Sequence, residues 1–205
     1  MLFPSLLVLG WFLVVSSAEK EIIIVSPGKR APLSDDVQSE IINAHNNFRK
    51  GEGSSNMKKI KWNSVLAEMA DTWASSCSFT HGQPSSPSSP FPQTGQNLFA
   101  TTVQAVNVSS YISSWYKEKE KFDSVTQTCA AKAVCGHYTQ VVWAATSDVG
   151  CSYALCPTLP PTKLTNAYFF VCNYGPAGNF VGQKPFKIGS ACADCSDACT
   201  DGLCN

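Results

Sequence analysis

The sequence has no surplus of charge of either sign: among 205 residues, 15 Lys and Arg face 15 Asp and Glu. That balance excludes a strong overall field steering the chain to nucleic acid or anionic lipid, and leaves only a local patch open. Histidine is scarce, with three in all, so each one weighs in any metal or acid–base reading. No internal repeat is visible. After the first 15 residues there is no long apolar run, so nothing later in the chain is expected to span a membrane.

The opening MLFPSLLVLGWFLVVSSAEK carries an apolar run from Leu6 to Val15, then the small residues Ser16 and Ala18. The run is too short to span a bilayer and predicts a signal peptide over residues 1–18, although no Lys or Arg precedes it. The mature protein is therefore expected to be secreted, extracellular and soluble. In that oxidising setting ten cysteines, an even number, argue for five disulfides and remove a thiol nucleophile. One glycosylation sequon, Asn107-Val108-Ser109, could carry a glycan at Asn107.

Val37, Ile41, Ala44 and Phe48 fall on one helical stripe with Ser34 or Asp35 as cap, and His45 beside it reads as a packing residue. Val65, Leu66, Met69, Ala70 and Trp73 predict a second helix capped by Asn63. The stretch 82–92, GQPSSPSSPFP, can only be a loop. A third helix is expected from about Val103 to Lys121, with Ile112, Trp115 and Tyr116 inward. Three β-branched or aromatic segments follow and predict strands: HYTQVVWAAT, VGCSYALC and NAYFFVCNY. Helices first and an antiparallel run afterwards give an α+β class.

GHYTQVVW at 136–143 and FFVCNYGPAGNF at 169–180 together resemble the two signatures of the CAP superfamily, the cysteine-rich secretory proteins and their relatives. AHNNFR, KWN, CSFTH, GQNLF and WYKEKEKF extend the resemblance over most of the chain. It implies a three-layer α-β-α sandwich over residues 34–186, with a disulfide-knotted hinge over 187–205. It also implies a cleft holding two histidines, His81 and His137, and two acids. One acid is Glu118; the other position carries Gln96, where the family has Glu. Two imidazoles with carboxylates suit zinc, but Gln96 brings no charge, so no cofactor is expected to be required and zinc binding is expected to be weak. The competing reading is a hydrogen-bonded cluster that holds loops together without catalysis.

The resemblance further implies the pairs Cys77 with Cys156, Cys129 with Cys135 and Cys151 with Cys172. The run CADCSDACTDGLCN resembles the family's hinge, implying Cys192 with Cys199 and Cys195 with Cys204; spacing alone would allow three connectivities or a metal knuckle. The ion-channel-regulatory module that follows this hinge in longer relatives is not expected here. A CAP domain with a hinge and no such module is similar to a sperm attractant of frog egg jelly. The implied function is a non-enzymatic signal in fertilization, bound by a cell-surface receptor on sperm. The alternatives are a sterol or fatty-acid carrier using Trp115, Tyr116 and Phe122, and a defence or venom protein.

Overall fold

The computed structural model describes residues 33–103 and 105–205; the expected signal peptide at 1–18 lies outside them. Helix α1 spans Asp35–Lys50, with the Ser34 hydroxyl accepting from the Val37 amide at its start. Two acids open it and two bases close it, matching its dipole. Strand β1, Lys61–Trp62, leads into α2, Ser64–Ser75, where the Asn63 side chain accepts from both Val65 and Leu66 amides. Strand β2 covers Gly95–Thr101 and helix α3 covers Val108–Tyr116. Then come the short strands β3, Phe122–Asp123, and β4, Thr128–Cys129, and helix α4, Gly136–Val141. Long strands β5, Asp148–Thr158, and β6, Thr165–Gly175, precede two short ones, β7, Cys199–Thr200, and β8, Leu203–Cys204.

The main sheet runs β1-β5-β6-β2. β5, β6 and β2 are antiparallel, while β1 joins β5 in parallel, so the sheet is mixed. Its faces carry different cores. On one side α2 packs Ala70 and Ala74 against Phe169, Val171 and Leu98. On the other, α1, α3 and α4 bring Ile41, Ile112, Trp115 and Val141 onto Phe170 and Tyr174. Alternation along β6 assigns Phe169 and Phe170 to opposite layers, and the result is the three-layer α-β-α sandwich. Gly150 sets the approach of α2: a Cβ there would meet the backbone of Asn63, Leu66 and Ala67.

Two elements differ from the sequence reading. HYTQVVWAAT is not a strand, because residues 136–141 form α4. Its first turn is held from outside, as the Glu118 carboxylate accepts from the His137 and Tyr138 amides at 2.9 and 3.2 Å. A charge placed on the helix N-terminus outweighs the β preference of Tyr, Thr and Val. The third helix also starts later than Val103, at Val108, where the Asn107 Oδ1 accepts from the Ser110 amide. Lys117–Lys121 continues it as a 3-10 turn.

Five disulfides are present: Cys77–Cys156, Cys129–Cys135, Cys151–Cys172, Cys192–Cys199 and Cys195–Cys204. The last two close the C-terminal knot. It is not a loose tail: the Cys204 amide donates to Met57 O at 2.8 Å and the Lys59 amide donates to Cys204 O at 2.7 Å. The Asp194 amide donates to Ser55 O, Lys50 meets Asp201, and Leu203 is buried.

Candidate functional site

The four positions singled out by sequence fall into two hydrogen-bonded pairs. The first pair is His81 and Gln96. Gln96 lies on β2 opposite Asn173 of β6. Its Oε1 accepts from His81 Nδ1 at 3.1 Å and from the Gly82 amide at 3.2 Å. Its Nε2 donates to Gly82 O at 2.6 Å and to Asn173 Oδ1 at 3.3 Å. Gln96 thus clasps both sides of residue 82 as a second peptide group would. A carboxylate could make the first two of these bonds and not the last two.

The second pair is His137 and Glu118. His137 Nδ1–H donates to Glu118 Oε1 at 2.7 Å, and Oε2 takes the two amides of the α4 N-terminus. Both Glu118 oxygens are therefore engaged. Trp115 lies nearly parallel to the His137 ring, with centroids 6.2 Å apart. The 3-10 turn carrying Glu118 is fixed in turn by buried Glu52, which accepts from Tyr116 Oη at 2.6 Å, Lys119 Nζ at 3.0 Å and Tyr138 Oη at 2.9 Å. Burial and the Glu52 charge push the Tyr138 phenol well above its ordinary range, so it stays a donor.

Each histidine has the same tautomeric logic. Because Gln96 Oε1 and Glu118 Oε1 can only accept, Nδ1 carries a proton in both rings, and in the neutral tautomer Nε2 is then the nitrogen with the lone pair. An acceptor behind the ring is the arrangement that orients a metal-ligating imidazole. Each imidazole is thus oriented as a metal ligand would be, with Gln96 behind His81 and Glu118 behind His137, but among the described residues His81, Glu118 and His137 do not form a group of three ligand atoms within 4.8 Å of one another. Among the described residues, the group of three ligand side chains lying within 4.8 Å of one another is Cys192, Cys195 and Cys204, all in disulfides.

Beneath these pairs runs a buried polar chain that sequence reasoning missed. His45 Nδ1 donates to Ile41 O at 2.8 Å, so its Nε2 accepts from Tyr174 Oη at 2.9 Å. Asn97 Nδ2 then donates to Tyr174 Oη at 3.4 Å and to His137 O at 3.1 Å. Burial lowers the His45 pKa to about 4, keeping it neutral, and raises that of Tyr174. Arg49, fully buried on the same helix, has no acid bonded to it among the described residues. Its guanidinium donates to the carbonyls of Lys58, Val141, Trp143 and Thr146 at 2.6 to 2.9 Å, three of them at the end of α4 or just after it. Burial lowers its pKa to about 9, which still leaves it charged at neutral pH. His45 is the packing residue the helical stripe leads one to expect, whereas Arg49 does not announce itself in sequence, because carbonyl acceptors brought from far along the chain have no residue-type signal.

The profile of the cysteine-rich secretory protein family, CAP, matches residues 42–174. The chain belongs to that family. The CAP chain is 38% identical over 172 residues to human cysteine-rich secretory protein 3, covering 82% of this chain and 68% of that protein. It is 33% identical over 207 residues to peptidase inhibitor 16 of Bos taurus, covering 99% of this chain but 40% of that protein. It thus spans less than half the length of that relative. Among solved structures, NaASP2 with Zn2+ superposes with a TM-score of 0.67 at 23% identity, over 86% of this chain and 99% of that one. At that identity the likeness speaks for the CAP fold. No helix among the described residues is long and apolar enough to cross a membrane.

Proposed function

We propose that this CAP protein is a secreted, non-enzymatic signal that acts by binding a receptor on a cell surface, and that its target is sperm. The observation that carries the non-enzymatic part is the engagement of Glu118. Both Glu118 oxygens are committed to His137 and to the α4 amides, so this carboxylate is not itself a general base; the lone pair the dyad could offer is that of His137 Nε2, which His137→Ala removes. Gln96 replaces the second acid, and its hydrogen bonds serve to hold residue 82. The sperm reading rests on the resemblance to allurin, the egg-jelly attractant built of a CAP domain and a hinge. Any zinc held by His81 and His137 would act as a structural bridge between the loop after α2 and helix α4, supplying charge rather than chemistry.

The carrier reading loses its motivating residues to the core. Trp115 stacks on Phe170, Tyr116 stacks on Phe48 and Phe122 packs on Tyr138, so these rings are occupied by one another.

The test is directional swimming. Pure protein in a gradient is expected to bias sperm tracks, and His137→Ala, folded as judged by circular dichroism, is expected to retain the effect. Tracks matching buffer at every concentration would overturn the signalling reading. Loss of attraction in the folded variant would overturn the non-enzymatic one.

A further inference from the structure

Acidic residues are unevenly placed along the chain. Between Ser124 and Ala193 the one acid is Asp148, and it is buried, bonded to Asn63 and Ser147. Over the same span stand Lys132, Lys163, Lys184 and Lys187. Three loops from this carboxylate-poor stretch come together beside α4. Lys184 Nζ donates to Thr126 O and, at 3.1 Å, to Gln127 O, tying the segment after β6 to the β3–β4 hairpin. The Cys129–Cys135 bridge ties that hairpin to the start of α4. Asn179 completes the ring, donating to Gly136 O at 2.8 Å and accepting from Thr139 Oγ1 at 2.6 Å.

Each of the three loops places an aliphatic or aromatic side chain in water. Val125 is 82% exposed at the hairpin, Val134 is 64% exposed in the disulfide loop, and Val181 is fully exposed beside Phe180 at 38%. Apolar side chains presented together at loop tips mark an interaction surface more often than isolated ones do. These tips are framed by Lys132 and Lys184. Within these three segments the one acid is Asp123, whose Oδ1 accepts from the Val125 and Thr126 amides, shaping the hairpin.

From this juxtaposition we propose that the surface formed by the 123–128 hairpin, the 129–135 disulfide loop and the 179–184 turn docks on an anionic lipid membrane. Val125, Val134 and Val181 enter the headgroup layer beside Phe180, which packs edge-on against Trp143, while Lys132 meets lipid phosphates and the charge of Lys184, held on the hairpin carbonyls, adds to the attraction. Charge complementarity selects the occupant: cationic side chains around shallow apolar tips suit a negatively charged interface, which pairs burial of apolar groups with attraction to acidic headgroups. The disulfide and the side-chain ties hold the three tips together before contact, so little ordering is required on docking. The docking does not depend on the signalling reading, since it needs no receptor.

The experiment is flotation of the full secreted protein with vesicles of phosphatidylcholine alone and of phosphatidylcholine with 30% phosphatidylserine, a composition of about the charge used for such tests. Binding is expected to the anionic vesicles only and to weaken with salt. Lys132→Ala is expected to weaken it about fivefold. Val125→Asp with Val181→Asp, both at exposed positions that leave the core intact, is expected to abolish it. No flotation with anionic vesicles at low salt would overturn the proposal. So would flotation that the double aspartate variant leaves unchanged, because attachment would then be purely electrostatic or lie elsewhere. Capture on a heparin column without flotation would assign the lysines to a polyanion and would equally overturn it.

Discussion

Gln96 is more than a missing charge. Its amide fits the peptide at residue 82 with an acceptor and a donor at once, so Gln96→Glu sets a carboxylate oxygen against Gly82 O and Asn173 Oδ1. The substitution is expected to act in two directions. Folding stability at neutral pH should fall by about 1–3 kcal/mol, the cost of losing two part-buried bonds and facing a carboxylate oxygen against Gly82 O, while Asn173 Oδ1 keeps its bond from Gln83 Nε2. Zinc affinity should rise, because a carboxylate behind His81 raises the basicity of its Nε2. Urea unfolding and calorimetric zinc titration read the two effects separately; equal zinc affinity in both proteins would count against the electrostatic account. At this scale the sequence made the caps Ser34 and Asn63 legible, since capping is local and depends on residue type. It hid Arg49, Asn97 and Tyr174, whose partners are backbone or phenol groups far along the chain.

At the scale of elements, α4 shows how a segment with strand composition becomes a helix. Six residues are too few to be helical alone. Its conformation is imposed by the Glu118 carboxylate at one end and by Arg49 bonding Val141 O and Trp143 O at the other. Charge of the right sign stands at each terminus. Glu118→Gln, which keeps one acceptor and removes the charge, is expected to destabilise the fold by about 1–2 kcal/mol. Faster hydrogen exchange should be confined first to the His137 and Tyr138 amides, and an exchange pattern unaltered there would refute the capping role. No windowed reading of HYTQVVW could find this, because the deciding residue lies in the preceding 3-10 turn. The strands VGCSYALC and NAYFFVCNY were legible because β-branched and aromatic residues there agree with their tertiary setting as β5 and β6. β1 and its parallel pairing were not, a two-residue strand being too short for any periodicity.

For the molecule as a whole, the chain from Ile41 through His45, Tyr174 and Asn97 to His137 O couples strands β6 and β2 to helices α1 and α4, and it has a pH window. The His45 pKa of about 4 in the folded protein lies below its ordinary 6.5. Between those values the unfolded chain binds a proton that the folded one excludes. Stability is therefore complete above about pH 6.5 and declines as the pH falls towards 4, by about 3 kcal/mol if the whole shift is realised. Urea midpoints measured across that range should fall with pH, and a flat profile would show that His45 is accommodated as a cation. The balanced charge count of the sequence conceals the segregation of acids away from residues 124–193, where Asp148 is the one acid, and only the loop arrangement turns that segregation into a surface.

The docking of the C-terminal knot has a mechanical consequence. With Cys204 bonded to both Met57 O and the Lys59 amide, and Leu203 buried, a pull at Asn205 is delivered almost at once to the backbone between α1 and β1. The knot is a handle rather than a leash: whatever grips it turns the sandwich with it, and load reaches the helical layer without first stretching a spring.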